Sequence, residues 1–473
     1  MPEKYHIKTT PVPPRLPRIG KHGIVDWRED CARCHNCVKK ECVYDRYRQE
    51  AEYIRTLQYS DFLFFECMGC FSCVQNCTKG LLCLTINSEY KQLGNHYWTP
   101  EIIHTTWQQA ETAAVPVSGA GYRGKFYGHG FDAMWTDMSE IVRPTRDGIH
   151  GREYISTSVD IGKKPSHLEF DEKGKAAFLP SVVNIPMPMI VDMNPSEYVL
   201  PQLETFIIES VKFTDLIAII DSAKWPGAAS EGQMQNIDKY LPHIAFHLNP
   251  DAPELPKEIL SKTRMVEIPD NDAVLDRVKE LKETYHELKA SIRVNLDATG
   301  VERALELVNS GAEVIHVVAD FNGDEIGVEK PRFIKDMIRE IHTALIHNGI
   351  RDEVTLIAGG GIALPEHMAK VLLCGADLIS TYLPLLISLE CRLCKTCRLG
   401  IPCPARLEDV DFTYGVGRMR NLIAAWHLQL IELMGAMGMR EARRLRGDVG
   451  RAMFFEQLEE EIFGTLFGSR KRA

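Results

Sequence analysis

Val354-Thr-Leu-Ile-Ala358-Gly359-Gly360-Gly361 is the stretch that decides the architecture. An apolar run without alternation reads as a short strand covered on both faces, and three successive glycines end it in a tight turn. A helix and a second short strand, Leu378–Tyr382, follow it. Read outward, the same unit recurs. Short β-branched runs lie at Met189–Asp192, Leu216–Asp221, Ile244–Leu248, Met265–Ile268, Ser291–Asn295 and Val314–Ala319. Helical stretches separate them, among them Ser196–Lys212, Ala273–Leu288, Gly300–Ser310 and Pro331–Asn348; Leu275, Val278, Leu281 and Tyr285 make an apolar stripe on one of these. Eight strand–helix alternations in roughly 200 residues predict an α/β fold, a (β/α)8 TIM-type barrel over 186–404. An open doubly wound sheet is the alternative.

Chemistry in such a barrel collects at the strand C-terminal ends. Those ends offer Asp192 and Asn194; Asp221, Lys224 and Trp225; Asn249; Asp270; Arg293, Asn295 and Asp297; Asp320, Asn322 and Gly323. Gly359, Gly360 and Gly361 stand where the loops after strands seven and eight often cradle a phosphate, so a phosphate contact is expected there; a tight strand-to-helix turn is the plainer reading. No serine–histidine–acid arrangement and no H-E-x-x-H can be read from the chain. Most of the sixteen histidines read as singles on helices or loops with structural or solvent-facing roles, and His342 and His347 are not spaced for a metal pair on their helix.

Downstream comes Cys391-Arg-Leu-Cys394-Lys-Thr-Cys397-Arg-Leu-Gly-Ile-Pro-Cys403-Pro404, an iron–sulfur spacing in which four soft thiolates converge. Zinc ribbons space their ligands as two separated pairs, which this run does not. Thirteen of the fourteen cysteines lie in three clusters, and only Cys374 stands apart. Near the N-terminus the runs Cys31-x2-Cys34-x2-Cys37-x4-Cys42 and Cys67-x2-Cys70-x2-Cys73-x3-Cys77 repeat the tandem pattern of a two-cluster bacterial ferredoxin. In that pattern the last cysteine of each run serves the other cluster. One cubane should then use Cys31, Cys34, Cys37 and Cys77, and the other Cys67, Cys70, Cys73 and Cys42. Cys83 is surplus: it reads as a buried apolar thiol, with replacement of Cys77 as the alternative. Phe62, Phe64, Phe65 and Phe71 either shield the sulfurs or form the small domain's core.

The organisation expected is therefore an extended proline-rich arm at 1–20, available to a partner, and a small α+β two-[4Fe-4S] ferredoxin-like domain at 21–90. An irregular connecting segment follows at 91–185, then the barrel with its cysteine run, then C-terminal helices at 405–473. The Gly119–Gly130 stretch lacks both the preceding strand and the lysine–serine pair of a phosphate loop. Leu422, Trp426, Leu430, Leu433 and Met437 mark an amphipathic helix in the tail, read as packing on the barrel. A formal charge of −10 without a basic stripe argues against nucleic acid, and no apolar run is long enough for direct membrane insertion. Clustered thiols on a chain opening Met-Pro-Glu-Lys-Tyr-His, with no export signal in view, point to a reducing cytoplasm.

The segment Asn348–Ile362, the following Ala369–Asp377 and the cysteine run together resemble the FMN-binding domain of glutamate synthase in its archaeal-type form, here fused to a two-cluster ferredoxin module. Arg143–Thr157 resembles that family's opening segment and Arg440–Gly447 its closing helices. The resemblance implies FMN at the barrel mouth, with Gly359, Gly360 and Gly361 at its phosphate and Thr381, Asn194, Arg293 and Asn322 as further cofactor contacts. It implies a cluster on Cys391, Cys397 and Cys403. Cys394 is an added ligand, so three [4Fe-4S] clusters are expected, the family's [3Fe-4S] form being the alternative for the third. The chain departs from the family where a lysine on strand five is replaced by Arg293 and where Asp320–Gly327 stands in place of a glycine-rich loop. On those departures the expected role is an electron-transfer subunit of a larger anaerobic oxidoreductase, more a subunit than a self-contained enzyme. Its partners would be other redox subunits: an NAD(P)H-flavin subunit, a hydrogenase, a dehydrogenase or a ferredoxin. A ferredoxin-dependent glutamate synthase-type enzyme and a flavin-free scaffold carrying Fe-S clusters are the alternatives.

Overall fold

The computed structural model describes residues 5–17, 19–26, 34, 63–64, 70–114, 128–137, 154–164, 169–176, 181–193, 202–224 and 237–464. The chain divides into two compact units. One comprises Pro13–Ile103 together with Arg392–Lys395; the other comprises Met1–Val12, His104–Cys391 and Thr396–Ala473.

The smaller unit is built on a three-stranded antiparallel sheet of β1 (His22–Asp26), β2 (Leu63–Phe64) and β3 (Leu82–Ile86), ordered β2-β1-β3. His22 pairs with Ile86 and Asp26 with Leu82. Asn87 ends the sheet: its amide donates to the Gly20 carbonyl, and its carbonyl oxygen caps the short helix Ser88–Lys91. Trp98 and Ile103 form part of the core of this unit.

In the larger unit, β4 (Met134–Thr136), β5 (Val159–Ile161) and β6 (Val183–Ile185) precede the barrel. Eight parallel strands then close on themselves: β7 (Met189–Asp192), β8 (Ala218–Asp221), β9 (Ile244–His247), β10 (Met265–Pro269), β11 (Lys289–Asn295), β12 (Val314–Val318), β13 (Thr355–Gly359) and β14 (Leu378–Thr381). Closure is made by Ile379–Thr381 of β14 pairing with Met189–Val191 of β7. The expected barrel is thus the observed fold, and the open sheet is excluded. Each strand is nearly continuous in Ile, Val, Leu and Ala because both faces are covered. The antiparallel pair β5–β6 lies at the N-terminal end of the barrel, where the Gly162 N–H donates to Thr355 Oγ1 and Lys289 Nζ to Ser181 Oγ.

A 25-residue helix, Phe412–Ala436, packs on the helices Leu203–Phe213 and Pro365–Cys374 of the outer ring. Asp411 caps it through the N–H groups of Thr413 and Tyr414. Residues 5–12 of the N-terminal arm run along this helix: Asn421 donates to the Thr10 carbonyl and Arg418 to the Val12 carbonyl. The last strand, β15 (Ala452–Phe454), pairs antiparallel with β4. Among the described residues, no helix is long and apolar enough to cross a membrane.

Candidate active site at the barrel mouth

Strand register places the inward side chains. Directly paired residues of neighbouring parallel strands face the same side, and the pairs His247↔Glu267, Glu267↔Ser291, Arg293↔His316 and Gly359↔Ser380 set one inner layer. In an ordinary barrel this layer is filled by branched apolar residues. Here it is a chain of polar groups. Arg293 Nη1 donates to Asp192 Oδ2 at 2.9 Å and to Glu267 Oε2 at 3.1 Å. His247 Nδ1 lies 2.9 Å from Glu267 Oε2, and His316 Nδ1 lies 2.7 Å from Glu267 Oε1. His316 Nε2 then meets Ser380 Oγ at 2.7 Å.

Protonation follows from the partners. Burial alone would raise the Glu267 carboxyl, but Arg293, His316 and the bonds from both imidazoles hold it well below its ordinary range. An ionised carboxylate only accepts, so both imidazoles donate to it from Nδ1. Asp192 and Glu267 overcome the desolvation of Arg293 and keep it protonated. Glu267 and His316 are fully buried, whereas the side chains of Arg293, Asp192 and His247 are 7–10% exposed at the rim. A layer of this kind costs desolvation that an apolar layer would not. Ser291 Oγ, buried on the Glu267 side of β11, has no hydrogen-bond partner among the described residues.

Histidines expected to be isolated are therefore joined, on strands, by one buried carboxylate. A Ser380–His316–Glu267 line exists that the linear order concealed, buried to 1% or less. The signal for it was a charged or imidazole residue inside a β-branched strand, as in Met265-Val-Glu267-Ile and Val314-Ile-His316-Val, because such a group must be paired when buried.

Of the mouth residues named from sequence, Asp192 and Arg293 enter this layer. Asp270 is turned aside to clamp Arg303 through Nε and Nη2, both at 2.9 Å. Asp320 Oδ1 accepts the N–H groups of Asn322 and Asp324 and holds its own loop together. Asn249 donates to the Asp221 carboxylate, and Thr381 Oγ1 to the Ile362 carbonyl. Asn194 lies outside the described residues. The glycine triplet has a packing reason: a Cβ at Gly359 would sit 2.1 Å from Ser380 Oγ, at Gly360 2.7 Å from the Asp320 carbonyl, and at Gly361 2.7 Å from the Asn322 carbonyl. The space that glycine frees here is filled by the neighbouring strand and loop.

Cys31, Cys37, Cys42 and Cys67 also lie outside the described residues. Among the described residues no group of three or more His, Cys, Asp or Glu is placed to hold a metal. Cys34 Sγ lies 3.8 Å from Thr78 Oγ1, and Cys77 Sγ accepts the Leu81 N–H at 3.3 Å. Cys70 and Cys397 are exposed, Cys73, Cys77, Cys394 and Cys403 half-buried, and Cys391 buried. Cys83, expected to be a buried thiol, is exposed on β3: its strand is one of three short antiparallel strands and leaves that side chain uncovered. Phe71 is likewise 51% exposed, not a shield.

Fold and mouth together define a (β/α)8 barrel with C-terminal helices and an ionic layer at its strand ends. Residues 253–440, which hold the last five barrel strands and the long C-terminal helix, match the family described as a conserved region in glutamate synthase. Among curated proteins the chain is similar to the archaeal-type glutamate synthase (NADPH) of Dehalococcoides mccartyi, 24% identical over 90% of this chain and 93% of that protein. The Thermotoga maritima protein of the same name is 24% identical over 92% and 95%. The archaeal glutamate synthase (NADPH) of Methanocaldococcus jannaschii is 24% identical over 92% and 95%. Among solved structures a flavocytochrome b2 variant aligns over 81% of this chain and 88% of that chain, with 12% identity and a TM-score of 0.42. The expectation of a subunit more than a self-contained enzyme is overturned here: relatives matched along nearly their whole length carry the names of enzymes.

Proposed function

We propose that the chain is a self-contained FMN-dependent oxidoreductase of glutamate synthase type, supplied with electrons through iron–sulfur clusters. The observation that carries this reading is the ionic layer Asp192–Arg293–Glu267–His247 at the mouth of a barrel whose residues from 253 onward match the glutamate synthase region. These residues fit the ring of a flavin: Arg293 is a fixed cation at the strand ends, and the orphaned Ser291 hydroxyl marks a polar interior that a purely structural barrel does not need. The fit is carried by this charge set, not by the glycine turn. Arg293, Asn322, Thr381 and Asn194 would hold the cofactor, with backbone N–H groups of Gly359–Gly361 toward its phosphate. When bound, FMN exchanges electron pairs with a substrate and single electrons with clusters. The chain's own part is to present the Arg293 charge, to keep Glu267 ionised beneath it and to exclude water from the layer.

The cluster ligands are proposed as Cys31, Cys34, Cys37 and Cys77; Cys67, Cys70, Cys73 and Cys42; and Cys391, Cys394, Cys397 and Cys403. The N–H···S bond at Cys77 and the nearness of Cys34 to Thr78 support the first set. Phe71 beside Cys70, and Leu393 and Lys395 beside Cys394, adopt left-handed backbone conformations, which are an ingredient of the nests around iron–sulfur sites. Anaerobically purified full-length chain should release FMN near one per chain. It should also form glutamate from 2-oxoglutarate and ammonium with a reduced one-electron carrier or NADPH. Flavin without glutamate formation would leave an oxidoreductase of another substrate; no flavin would remove the reading altogether.

A further inference from the structure

We propose that His247 is a proton-uptake site that offsets the charge delivered to the barrel mouth. This rests on the flavin reading above. The charged and titratable groups facing this layer are Asp192 from β7, Asp221 from β8, His247 from β9, Glu267 from β10, Arg293 from β11 and His316 from β12. β13 contributes none, and β14 contributes the Ser380 hydroxyl. Apart from the imidazoles, this set carries one cation, Arg293, against two buried carboxylates and the half-buried Asp221.

Two electrons and one proton placed on a neutral flavin ring add one further negative charge above the layer. In low dielectric that charge is costly unless compensated nearby. His316 has both ring nitrogens engaged, by Glu267 and Ser380, and is fully buried. His247 differs. Its Nδ1 is bonded to Glu267, and its side chain is 10% exposed. The step is therefore this: with a flavin bound, two electrons supplied in turn by a reduced one-electron carrier would be accompanied by one proton taken up on the ring and a second proton from solvent that forms an N–H bond at His247 Nε2. The resulting imidazolium is paired through Nδ1–H with the Glu267 carboxylate. The mouth gains two electrons and two protons and its net charge is unchanged.

The test uses the anaerobic full-length holoprotein equilibrated with a viologen, whose couple takes up no proton, between pH 6 and 8. Flavin content of each preparation is measured first. Linkage makes the two-electron equilibrium constant change about 100-fold per pH unit when two protons accompany the electron pair, and about tenfold when one does. Wild type should show the 100-fold dependence, and His247→Gln, which keeps an amide donor toward Glu267, the tenfold one. Glu267→Gln should follow His247→Gln; if that buried change prevents folding, the rim variant decides alone. Equal slopes in wild type and His247→Gln, with flavin bound in both, would overturn this inference and leave the oxidoreductase reading standing. Absence of flavin would overturn both.

Discussion

Glu267 is the residue on which the site turns. It accepts from two imidazoles and one guanidinium with no exposed atom. Replacing it with glutamine leaves Arg293 and both histidines facing a neutral amide, and losing one member of a buried ion pair costs about 3–5 kcal/mol. Chemical denaturation should show that loss as a lowered midpoint. His342 makes a contrasting case at the opposite end of the barrel. Burial, then Arg351 and Arg446, push its imidazole down to about 4, and Arg351 Nε donates to its Nδ1 at 2.9 Å. Because the folded state binds the proton less readily than the unfolded chain, this histidine contributes stability that is fully present above about pH 6.5 and is lost as pH falls toward 4. Thermal melts of wild type should therefore fall across that window. His342→Asn, which keeps an acceptor and cannot titrate there, should flatten the slope.

Elements are tied together by single polar hubs that no periodicity announces. The long helix Phe412–Ala436 was legible from Leu422, Trp426, Leu430 and Leu433, all buried as an apolar stripe requires. Its most consequential residue is nonetheless Arg418, 1% exposed, whose Nε donates to the Ser388 carbonyl, Nη1 to Val12 and Nη2 to Trp107. One planar fork closes three backbone segments onto the helix. Lysine has a single ammonium and cannot reach three carbonyls in that geometry. Arg418→Lys should therefore lose two buried bonds to carbonyls, about 2–4 kcal/mol, read as a lower Tm with the barrel's far-ultraviolet signature intact. Glycine closes the other seam. A Cβ at Gly447, where φ is +65°, would sit 2.1 Å from His342 Nε2, and one at Gly375, φ +119°, 2.3 Å from its Cγ. Gly447→Ala should cost about 1–3 kcal/mol by forcing that ring off its pairing with Arg351.

For the whole molecule, strand positions could be read because a barrel strand is apolar on both faces, and the runs from Met189 to Thr381 sit within two residues of expectation. Asp192 and Arg293 could be read from their place at strand ends. The partners that give them meaning could not, since Glu267, His316 and Ser380 lie 49 and 64 residues apart and meet only through strand order. Cysteine spacing is the reverse case: it is local, so ligand sets can be proposed without the fold, and chemistry must decide them. If each proposed set holds a cubane, anaerobic protein should carry roughly twelve iron and twelve acid-labile sulfide atoms per chain. Removing one thiolate from a four-thiolate set strips or shrinks a single cluster. Cys397→Ala should therefore lose between one and four iron while the remaining eight persist and FMN stays bound. Cys83→Ala, at an exposed position outside every proposed set, should lose none. Iron falling with Cys83→Ala and not with Cys77→Ala would exchange those two thiols in the first set. Zinc at any of the three runs would remove the electron path while leaving the barrel and its ionic mouth in place, because Asp192, Arg293 and Glu267 depend on strand register and on no thiol.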